Sequence, residues 1–470
     1  MTLITPMPTP RLADLASLHF IAIGGAGMSG VAQGFLGLGA KVSGSDQQES
    51  AVLDQLRSAG ATCWVGHDAS HVGAVDAVVV SSAIPLDNVE LVEARRLGIP
   101  VLHRSVALAA LMQDQQVVSI AGTHGKTTTT AMTVSALRSA GLDPSFVIGA
   151  PMLADGLSAH IGSDNTFVIE ADESDGSFLQ YPTQVAVVTN VDPDHLDNWL
   201  TPQHYADGFE QFASAESVEV LIVDGADLGA ARLADRLRAA GRRVLTYGIG
   251  SGFDLSAAID GDGWQLTAGP ELDSWSDRLS LAVPGSHNLR DALAAVVVGQ
   301  VLGLDRSACL AGLAAFLGTA RRFQSLGSAG GRRVVDDYAH HPTEVHQAIA
   351  TGLASRGSGR LVVAFQPHLF SRTQIFADSF GAELAGADLV LVLDVYPARE
   401  APIPGVSGQM VADAVRAHGG QVIYEASLSQ AVSVLADEVK PGDLLMTVGA
   451  GSVTTLGPAL LDRWRHNHGQ

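Results

Sequence analysis

The chain has 470 residues, of which 47% are hydrophobic and 16% are charged, and its formal net charge is −21. This length predicts about three domains of roughly 150 residues each, and the composition excludes an intrinsically disordered chain. The excess of acidic residues argues against broad contact with a nucleic-acid backbone, so an anionic ligand would need local basic sites.

The cellular compartment is indicated by the cysteines and the N-terminus. Cys63 and Cys309 form neither a CxxC pair nor a metal-ligand pattern, which fits a reducing environment. The first residues lack a basic segment followed by a long apolar run, and no apolar stretch approaches the roughly 18 residues needed to span a bilayer. We therefore expect a cytoplasmic protein without membrane insertion or a nucleic-acid partner. Both a monomer and a homodimer remain open.

Short apolar runs alternate with segments of helical period along the chain. The runs are HFIAIG, DAVVVSS, VVSIAG, FVIEAD, VAVVTN, VLIVDG, RLVVAF, LVLVLDV and DLLMTVG. Continuous apolar strands flanked by helices predict an α/β protein with mainly parallel sheets. Breaks near residues 112–116 and 317–322 divide it into three predicted domains, 1–113, 114–319 and 320–470.

The first glycine-rich loop, IAIGGAGMSG at residues 21–30, follows a predicted strand and opens a predicted helix. Gly25, Gly27 and Gly30 match GxGxxG, and Asp46 ends the next predicted strand. Bare glycines let the backbone approach a diphosphate at the positive end of a helix. By itself the loop fits nicotinamide dinucleotide binding, another nucleotide diphosphate or a tight structural turn. We favour a nucleotide diphosphate other than NAD.

The second glycine-rich loop, VVSIAGTHGKTTTT at residues 117–130, is a shortened phosphate loop of the form GxxGKT. Backbone N–H groups around Gly122 and Gly125 can cradle phosphates, Lys126 can neutralise them, and the Thr127 hydroxyl can bind magnesium. The chain has three lysines against 25 arginines, so a lysine here is unlikely to reflect chance usage. We favour phosphate binding over a solvated turn.

Two predicted strands downstream end in acidic segments, FVIEADESDGSF at 167–178 and VVTNVDPDHLD at 187–197. Ligands of doubly wound sheets collect at the carboxyl ends of strands, so both tips should share a crevice with the second glycine loop. Carboxylates beside a triphosphate require cations between them. The alternative is a pair of solvated acidic turns, which their joint position after a phosphate loop disfavours.

Weaker signals follow. Asn288 in VPGSHNLRD and Arg322 in GTARRFQ could contact adenine or phosphate, although a helix cap and surface arginines are good alternatives. His340 and His341 could bind a metal, but without a third ligand at a sensible spacing we favour substrate contact over a metal-bound or packed histidine.

These segments, in this order, resemble the Mur ligases over nearly the whole chain. GTHGKTTT is shared among relatives with different substrates, whereas DDYAHHPTE, FQPHLFSRT and VYPAREAPIPGVSG are much more specific to the alanine-adding branch. The murein-peptide ligase shares a DD-aromatic-AHHPT segment, but we expect a different sequence in it where FQPHLFSRT stands here. The resemblance implies an N-terminal UDP-binding domain of Rossmann type, a central ATPase domain and a Rossmann-like C-terminal domain that closes over the site. It also implies ATP and Mg²⁺ as cofactors and UDP-N-acetylmuramate and L-alanine as substrates, joined in peptidoglycan precursor synthesis through an acyl phosphate.

The resemblance also assigns roles to individual residues. Lys126, Glu170 and His195 are the implied catalytic residues, and Thr127, Glu170 and His195 the metal ligands. The implied ATP contacts are Gly122, Thr123, His124, Gly125, Lys126, Thr127, Thr128, Asn288, Arg322 and Asp337. The implied UDP-sugar contacts are Gly25, Ala26, Gly27, Met28, Ser29, Gly30 and Asp46. The implied amino-acid contacts are Tyr338, His341 and Arg372.

The chain departs from the family pattern in places. Asp291 replaces an asparagine, which weakens the transfer of that ATP contact, and Leu369 stands where some relatives carry a basic residue. The segment 196–236 has no lysine, unlike sister ligases that use a carbamylated one, which favours the alanine-adding branch. The alternatives are a murein-peptide or sister Mur ligase, an NAD-linked oxidoreductase and a noncatalytic nucleotide-binding regulator.

Overall fold

The computed structural model describes residues 3–261, 263–398 and 400–467. They form three β-sheets, and each predicted apolar run overlaps a strand of one of them. The described residues fall into two compact units. One combines the chain up to Ala282 with Asn288–Leu317 and holds the first two sheets; the other combines Val283–His287 with the chain from Gly318 onward and holds the third sheet.

The first sheet is parallel throughout, with the strand order β3-β2-β1-β4-β5. Its strands are β1 (Ser17–Ile21), β2 (Lys41–Asp46), β3 (Thr62–Val65), β4 (Ala77–Val80) and β5 (Val101–His103). The intervening helices are α1 (Ala26–Gly37), α2 (Ala51–Ser58), α3 (Val89–Arg96) and α4 (Arg104–Leu111). The strand order reverses direction at β1, so the β1–α1 loop lies at a position where ligands bind in such sheets.

The second sheet has the order β15-β14-β13-β12-β11-β10-β6-β9-β7-β8 and is parallel from β13 to β7. Its strands are β6 (Gln116–Ala121), β7 (Ser145–Val147), β8 (Ala159–His160), β9 (Thr166–Glu170), β10 (Val185–Val188), β11 (Val220–Asp224), β12 (Val244–Ile249), β13 (Leu255–Asp260), β14 (Gly263–Ala268) and β15 (Ser276–Leu279). Its helices are α5 (Lys126–Ser139), α6 (Leu196–Trp199), α7 (Pro202–Ala213), α8 (Leu228–Ala239), α9 (Ser286–Val301) and α10 (Arg306–Ala314).

The third sheet has the order β16-β17-β21-β18-β19-β20, with only β16 antiparallel to its neighbour. Its strands are β16 (Gln324–Ala329), β17 (Arg332–Asp337), β18 (Leu361–Phe365), β19 (Leu389–Val392), β20 (Val422–Tyr424) and β21 (Leu444–Val448). Its helices are α11 (Pro342–Ser355), α12 (Phe370–Leu384), α13 (Gly408–Ala417), α14 (Leu428–Glu438) and α15 (Leu456–Asn467).

The cores explain why the strands read as unbroken apolar runs. In β18, Val363 packs into one hydrophobic cluster and its neighbour Val362 into another, because successive side chains point to opposite faces and helices cover both. The first two sheets share one large cluster, in which Phe20 and Phe35 belong with Phe167. The α/β prediction is confirmed.

Candidate active site

The second glycine loop connects β6 to α5 and wraps the start of that helix. Gly122 and Gly125 have φ angles of 134° and 82°, which side chains rarely adopt, and Gly125 caps the helix. A Cβ atom on Gly122 would lie 2.0 Å from the Thr189 hydroxyl oxygen. The glycines therefore allow the tight turn that leads into the 14-residue helix α5.

The remaining loop residues are fixed by β10 and the segment after it. The Thr123 hydroxyl donates to the carbonyl oxygen of Asp192 at 2.8 Å, and the His124 backbone N–H donates to Asn190 Oδ1 at 2.8 Å. Thr128 is buried in the first turn of α5. Two of the predicted ATP contacts are thus held by hydrogen bonds to a neighbouring strand end, which preorganises the loop.

Lys126 is enclosed by its own loop and by an acidic partner. Its Nζ donates to the carbonyl oxygens of Gly122 at 2.6 Å and Thr123 at 3.1 Å, and lies 2.8 Å from Glu173 Oε2. Burial would lower the pKa of Lys126, but the Glu173 and Asp172 carboxylates raise it above its ordinary value. Lys126 is therefore a firmly protonated cation at the phosphate loop.

The acidic tip of β9 lies beside this loop, as the strand order requires, because β6 is flanked by β9 and β10. The Thr127 hydroxyl donates to Glu170 Oε1 at 2.9 Å, and the Gly149 N–H donates to Glu170 Oε2 at 2.6 Å. A hydroxyl and a carboxylate oxygen this close form the hard donor set that magnesium prefers. The residues present fit a magnesium ion.

His195 follows the tip of β10 in the left-handed conformation, with a φ of 53°. Its Nε2 lies 3.9 Å from Glu173 Oε1 and 3.6 Å from Asp194 Oδ2. Burial raises the pKa of Glu173 above its ordinary value. His195 is therefore linked to Lys126 through Glu173, a residue that the sequence motif contained but to which we had assigned no role.

The first glycine loop is stabilised by a hydrogen bond to Asp46 and by close packing. Gly25 precedes α1, which begins with Ala26, and the Gly24 N–H donates to Asp46 Oδ2 at 3.0 Å. Met28 and Ser29 are buried in the first turn of α1. A Cβ atom on Gly30 would lie 3.0 Å from a methyl group of Val147 in the second sheet. The third glycine of GxGxxG thus serves close packing.

Arg104, at the start of α4, is a site residue that the sequence analysis missed. A Cβ atom on Gly27 would lie 2.9 Å from Arg104 Nη1, while Nη2 donates to Asp172 at 2.7 Å and lies 3.4 Å from Asp175. Burial would lower the pKa of Arg104, but these carboxylates raise it above its ordinary value. The guanidinium joins the first glycine loop to the acidic tip of the second sheet. Its one sequence signal is its position directly after β5.

Helix α9 carries Asn288, a predicted ATP contact, and Asp291, where the chain departs from the family pattern. Asn288 is buried in its first turn, and Asp291 accepts a 2.9 Å hydrogen bond from the Thr129 hydroxyl. A Cβ atom on Gly125 would lie 2.8 Å from Asp291 Oδ1. The departure at Asp291 therefore puts a carboxylate directly behind the phosphate loop.

In the third sheet, Asp337 ends β17 and accepts hydrogen bonds from the N–H groups of Phe323 and Ala339, both at 2.8 Å. Burial raises its pKa to about 6 despite the nearby Arg322. The Tyr338 ring faces the guanidinium carbons of Arg321 at 4.8 Å and Arg322 at 5.3 Å. These residues, three of them predicted contacts, form one polar group at the carboxyl end of the sheet.

The predicted amino-acid contacts lie on two helices of the same unit. His341 caps α11 and packs edge-on against Phe376, with ring centroids 5.0 Å apart. Arg372 is buried in the first turn of α12. Burial lowers the pKa of His340 to about 3, and the charge of Arg372 contributes to the shift, so this imidazole is neutral near pH 7.

Comparisons with known proteins agree with this architecture. The chain matches the models of the Mur ligase catalytic domain at residues 17–116, the Mur ligase middle domain at 120–299 and the Mur ligase glutamate ligase domain at 321–451. It is 52% identical over 466 residues, 98% of each chain, to a UDP-N-acetylmuramate--L-alanine ligase of Cutibacterium acnes.

Two solved structures are similar over most of their length. UDP-N-acetylmuramate-alanine ligase MurC from Thermotoga maritima has a TM-score of 0.81 at 26% identity, covering 96% of this chain and 99% of the other. A murein peptide ligase from Psychrobacter arcticus has a TM-score of 0.70 at 25% identity, with the same coverage. Among the described residues, no helix has the length and apolarity to cross a membrane. The chain belongs to the Mur ligase family of ATP-dependent ligases.

Proposed function

We propose that this protein joins L-alanine to the carboxylate of UDP-N-acetylmuramate, with ATP consumed, in the synthesis of peptidoglycan precursors. The observation that carries the proposal is that one phosphate loop holds both the Lys126–Glu173 ion pair and the Thr127–Glu170 hydrogen bond, in a chain 52% identical to a ligase of that name. ATP and nucleotide-sugar substrates support a cytoplasmic location.

The chemistry explains why such a site is needed. An amine cannot displace oxide from a carboxylate at neutral pH, so the carboxylate first attacks the γ-phosphorus of ATP. The bond between the γ-phosphorus and the bridging oxygen breaks, ADP leaves and the carboxylate becomes an acyl phosphate. The amine then adds to the acyl carbon, and the tetrahedral intermediate expels phosphate. Lys126 stabilises the negative charge that develops on the transferred phosphoryl group, which is where an oriented cation contributes most to the rate.

Magnesium is proposed as the cofactor, held by Thr127 and Glu170 with His195 at a second position. When bound, it neutralises phosphate charge. The chain's own contribution is geometric: the Thr127–Glu170 hydrogen bond keeps two oxygens together, and Glu173 lies within 3.9 Å of both Lys126 and His195. The proposed ATP contacts Asn288, Arg322 and Asp337, and the alanine contacts Tyr338, His341 and Arg372, remain predictions.

An amino-acid panel tests the proposal. Purified protein with ATP, Mg²⁺ and UDP-N-acetylmuramate should release phosphate with L-alanine far faster than with other amino acids. A preference for the tripeptide L-alanyl-γ-D-glutamyl-diaminopimelate would instead identify a recycling ligase, the second candidate favoured by the murein peptide ligase neighbour. ATP binding without ADP formation would indicate a noncatalytic regulator, and a nicotinamide fluorescence change on binding would indicate an oxidoreductase.

A further inference from the structure

Glu90, in the first turn of α3, is a fully buried carboxylate that the proposed reaction does not use. Three histidines surround it: His71 Nδ1 lies 3.0 Å from Oε1, and His67 Nδ1 and His19 Nε2 lie 3.3 Å and 3.6 Å from Oε2. The Ser45 hydroxyl donates to Oε2 at 2.5 Å. These five residues are called the Glu90 cluster below.

Glu90 is ionised in this environment. Burial, the largest single influence, would raise its pKa, but contacts with His19, Ser45 and His71 together lower it to about 2. An ionised carboxylate has acceptors only, so every group that is hydrogen-bonded to it must be a donor. The Asp68 backbone N–H also does so, to Oε1 at 3.2 Å.

The hydrogen-bond inventory fixes the tautomer of a neutral His67. Ser45 has a single hydroxyl proton, and it uses this proton to donate a hydrogen bond to Glu90. The Ser45 oxygen must therefore be the acceptor in its 2.8 Å contact with His67 Nδ1. Nδ1 must therefore carry the proton. His67 Nε2 is then an acceptor; it makes no hydrogen bond within the described part of the chain, and the side chain is 14% exposed.

The cluster lies at the ligand-binding edge of the first sheet. Ser45 directly precedes Asp46 at the end of β2, and His67 follows Gly66, whose N–H donates to the Asp46 carbonyl at 2.7 Å. Asp46 in turn accepts from the first glycine loop. His71 stacks on Trp64 with ring centroids 4.5 Å apart. His67 therefore stands next to the residues proposed to bind the nucleotide.

We propose that Glu90 is a positioning residue, which acts on His67 through Ser45 and keeps a lone pair on His67 Nε2. This lone pair accepts a hydrogen bond from the UDP-sugar, and the donor is the N3–H of uracil. The proposal rests on the proposed function, because it takes a uridine nucleotide as the ligand. Uracil presents N3–H as a donor, whereas cytosine has an acceptor at the same place. An acceptor on the protein would therefore select uracil.

The first test measures the tautomer itself. In wild-type protein at pH 8, ¹⁵N NMR of histidine should show His67 protonated at Nδ1 and unprotonated at Nε2. In Glu90→Gln the amide oxygen should take the Oε1 side, because the Asp68 backbone N–H can only donate, and the NH₂ should face Ser45. The Ser45 hydroxyl then accepts from the amide and donates to His67 Nδ1, so the His67 signal should shift towards the other tautomer. A wild-type Nε2–H tautomer, or a Glu90→Gln spectrum identical at His67, would overturn the proposal.

The second test uses two substitutions at His67 and needs no change at a buried charge. Asn retains a donor near the Nδ1 position and loses the acceptor at Nε2, whereas Gln places an amide oxygen near Nε2. Isothermal titration with UDP should show affinity about tenfold weaker for His67→Asn and near wild type for His67→Gln. Equal losses in both variants, or none in His67→Asn, would overturn the role of Nε2.

Competing nucleotides identify the donor and separate this proposal from the function. Wild type should bind UDP at least tenfold more tightly than CDP, and His67→Asn should lose that preference. The affinity lost in His67→Asn should be the same for UDP and 2′-deoxy-UDP. A loss of affinity confined to UDP would make the ribose 2′-hydroxyl the donor and overturn the assignment. If the wild-type enzyme ligates alanine but does not prefer UDP over CDP, only this inference is overturned. If the protein binds no uridine nucleotide, the proposed function is overturned as well.

Discussion

The two glycine loops occupy the same topological position, between a parallel strand and the helix that follows, yet they are charged differently. The loop between β6 and α5 carries its own cation, Lys126, against an acidic tip. The loop between β1 and α1 has no cation of its own, and the guanidinium facing it comes from Arg104 in α4. Loop geometry alone therefore does not distinguish a reacting phosphate from a phosphate that is only held.

The difference has a physical reason. A phosphoryl group in transfer gains charge that a fixed cation and metal ligands can stabilise, so acidic residues gather at the second loop to hold the cations. A diphosphate that only anchors a substrate needs backbone N–H groups and a helix N-terminus. We expect substitutions at the second loop to reduce turnover and substitutions at the first to weaken binding.

The largest effect is expected for Lys126→Ala. Loss of one oriented cation should reduce turnover by about a hundredfold or more, while the fold persists because the side chain contacts loop oxygens and Glu173 rather than the hydrophobic core. Phosphate release and circular dichroism measure the two quantities. Lys41→Ala and Lys440→Ala, which alter the other two lysines of the chain, are the matched controls. Near-normal turnover in a folded Lys126→Ala protein would refute the phosphate site.

The next effect should fall on substrate binding. Gly27→Val should raise the KM for UDP-N-acetylmuramate about tenfold or more and that for ATP only mildly, because the new side chain crowds both a diphosphate and Arg104. Steady-state kinetics with each substrate varied in turn measure the two constants. Gly73→Val is the control, since a Cβ atom there meets nothing within 4 Å.

Two results would break the comparison between the loops. A collapse of ATP affinity with intact UDP-sugar binding would reverse the allocation of the two loops. If neither constant responds in a folded protein, the first loop is a structural turn.

The strands and both acidic tips could be predicted because each leaves a local pattern, and parallel strands bring their carboxyl ends to one edge. Thr127 and Glu170 meet for that reason. Arg104 could not be predicted in the same way, because its partners Asp172 and Asp175 lie 68 and 71 residues away and no motif joins them. The Glu90 cluster is gathered from four separate segments, so its assembly depends on tertiary packing.

Glu170→Gln tests the metal side of the comparison. The substitution keeps the volume but replaces an anionic oxygen that magnesium prefers, so the Mg²⁺ concentration for half-maximal rate should rise about tenfold. A magnesium titration of turnover measures the shift, with Glu219→Gln, an exposed residue at the start of the β11 segment, as the control. An unchanged titration would remove Glu170 from the metal site.

The smallest effect concerns Asp291, whose carboxylate lies behind the second loop and accepts from Thr129. Asp291→Asn retains an acceptor for that hydroxyl and removes a negative charge. Repulsion between two unit negative charges about 5 Å apart costs about 1 kcal/mol at a water-like dielectric. Removing the Asp291 charge should therefore lower the KM for ATP in Asp291→Asn by about fivefold or less.

Asp291→Ala separates charge from hydrogen bonding, because it removes the acceptor as well and should lower the thermal unfolding midpoint, whereas Asp291→Asn should not. The KM for UDP-N-acetylmuramate should stay constant in both variants, because Asp291 contacts the second loop and not the first. A higher KM for ATP in Asp291→Asn would mean that the carboxylate itself contacts the nucleotide. In that case the departure from the family's asparagine would be an adaptation of the ATP site, and the second loop would bind ATP partly through an acidic side chain.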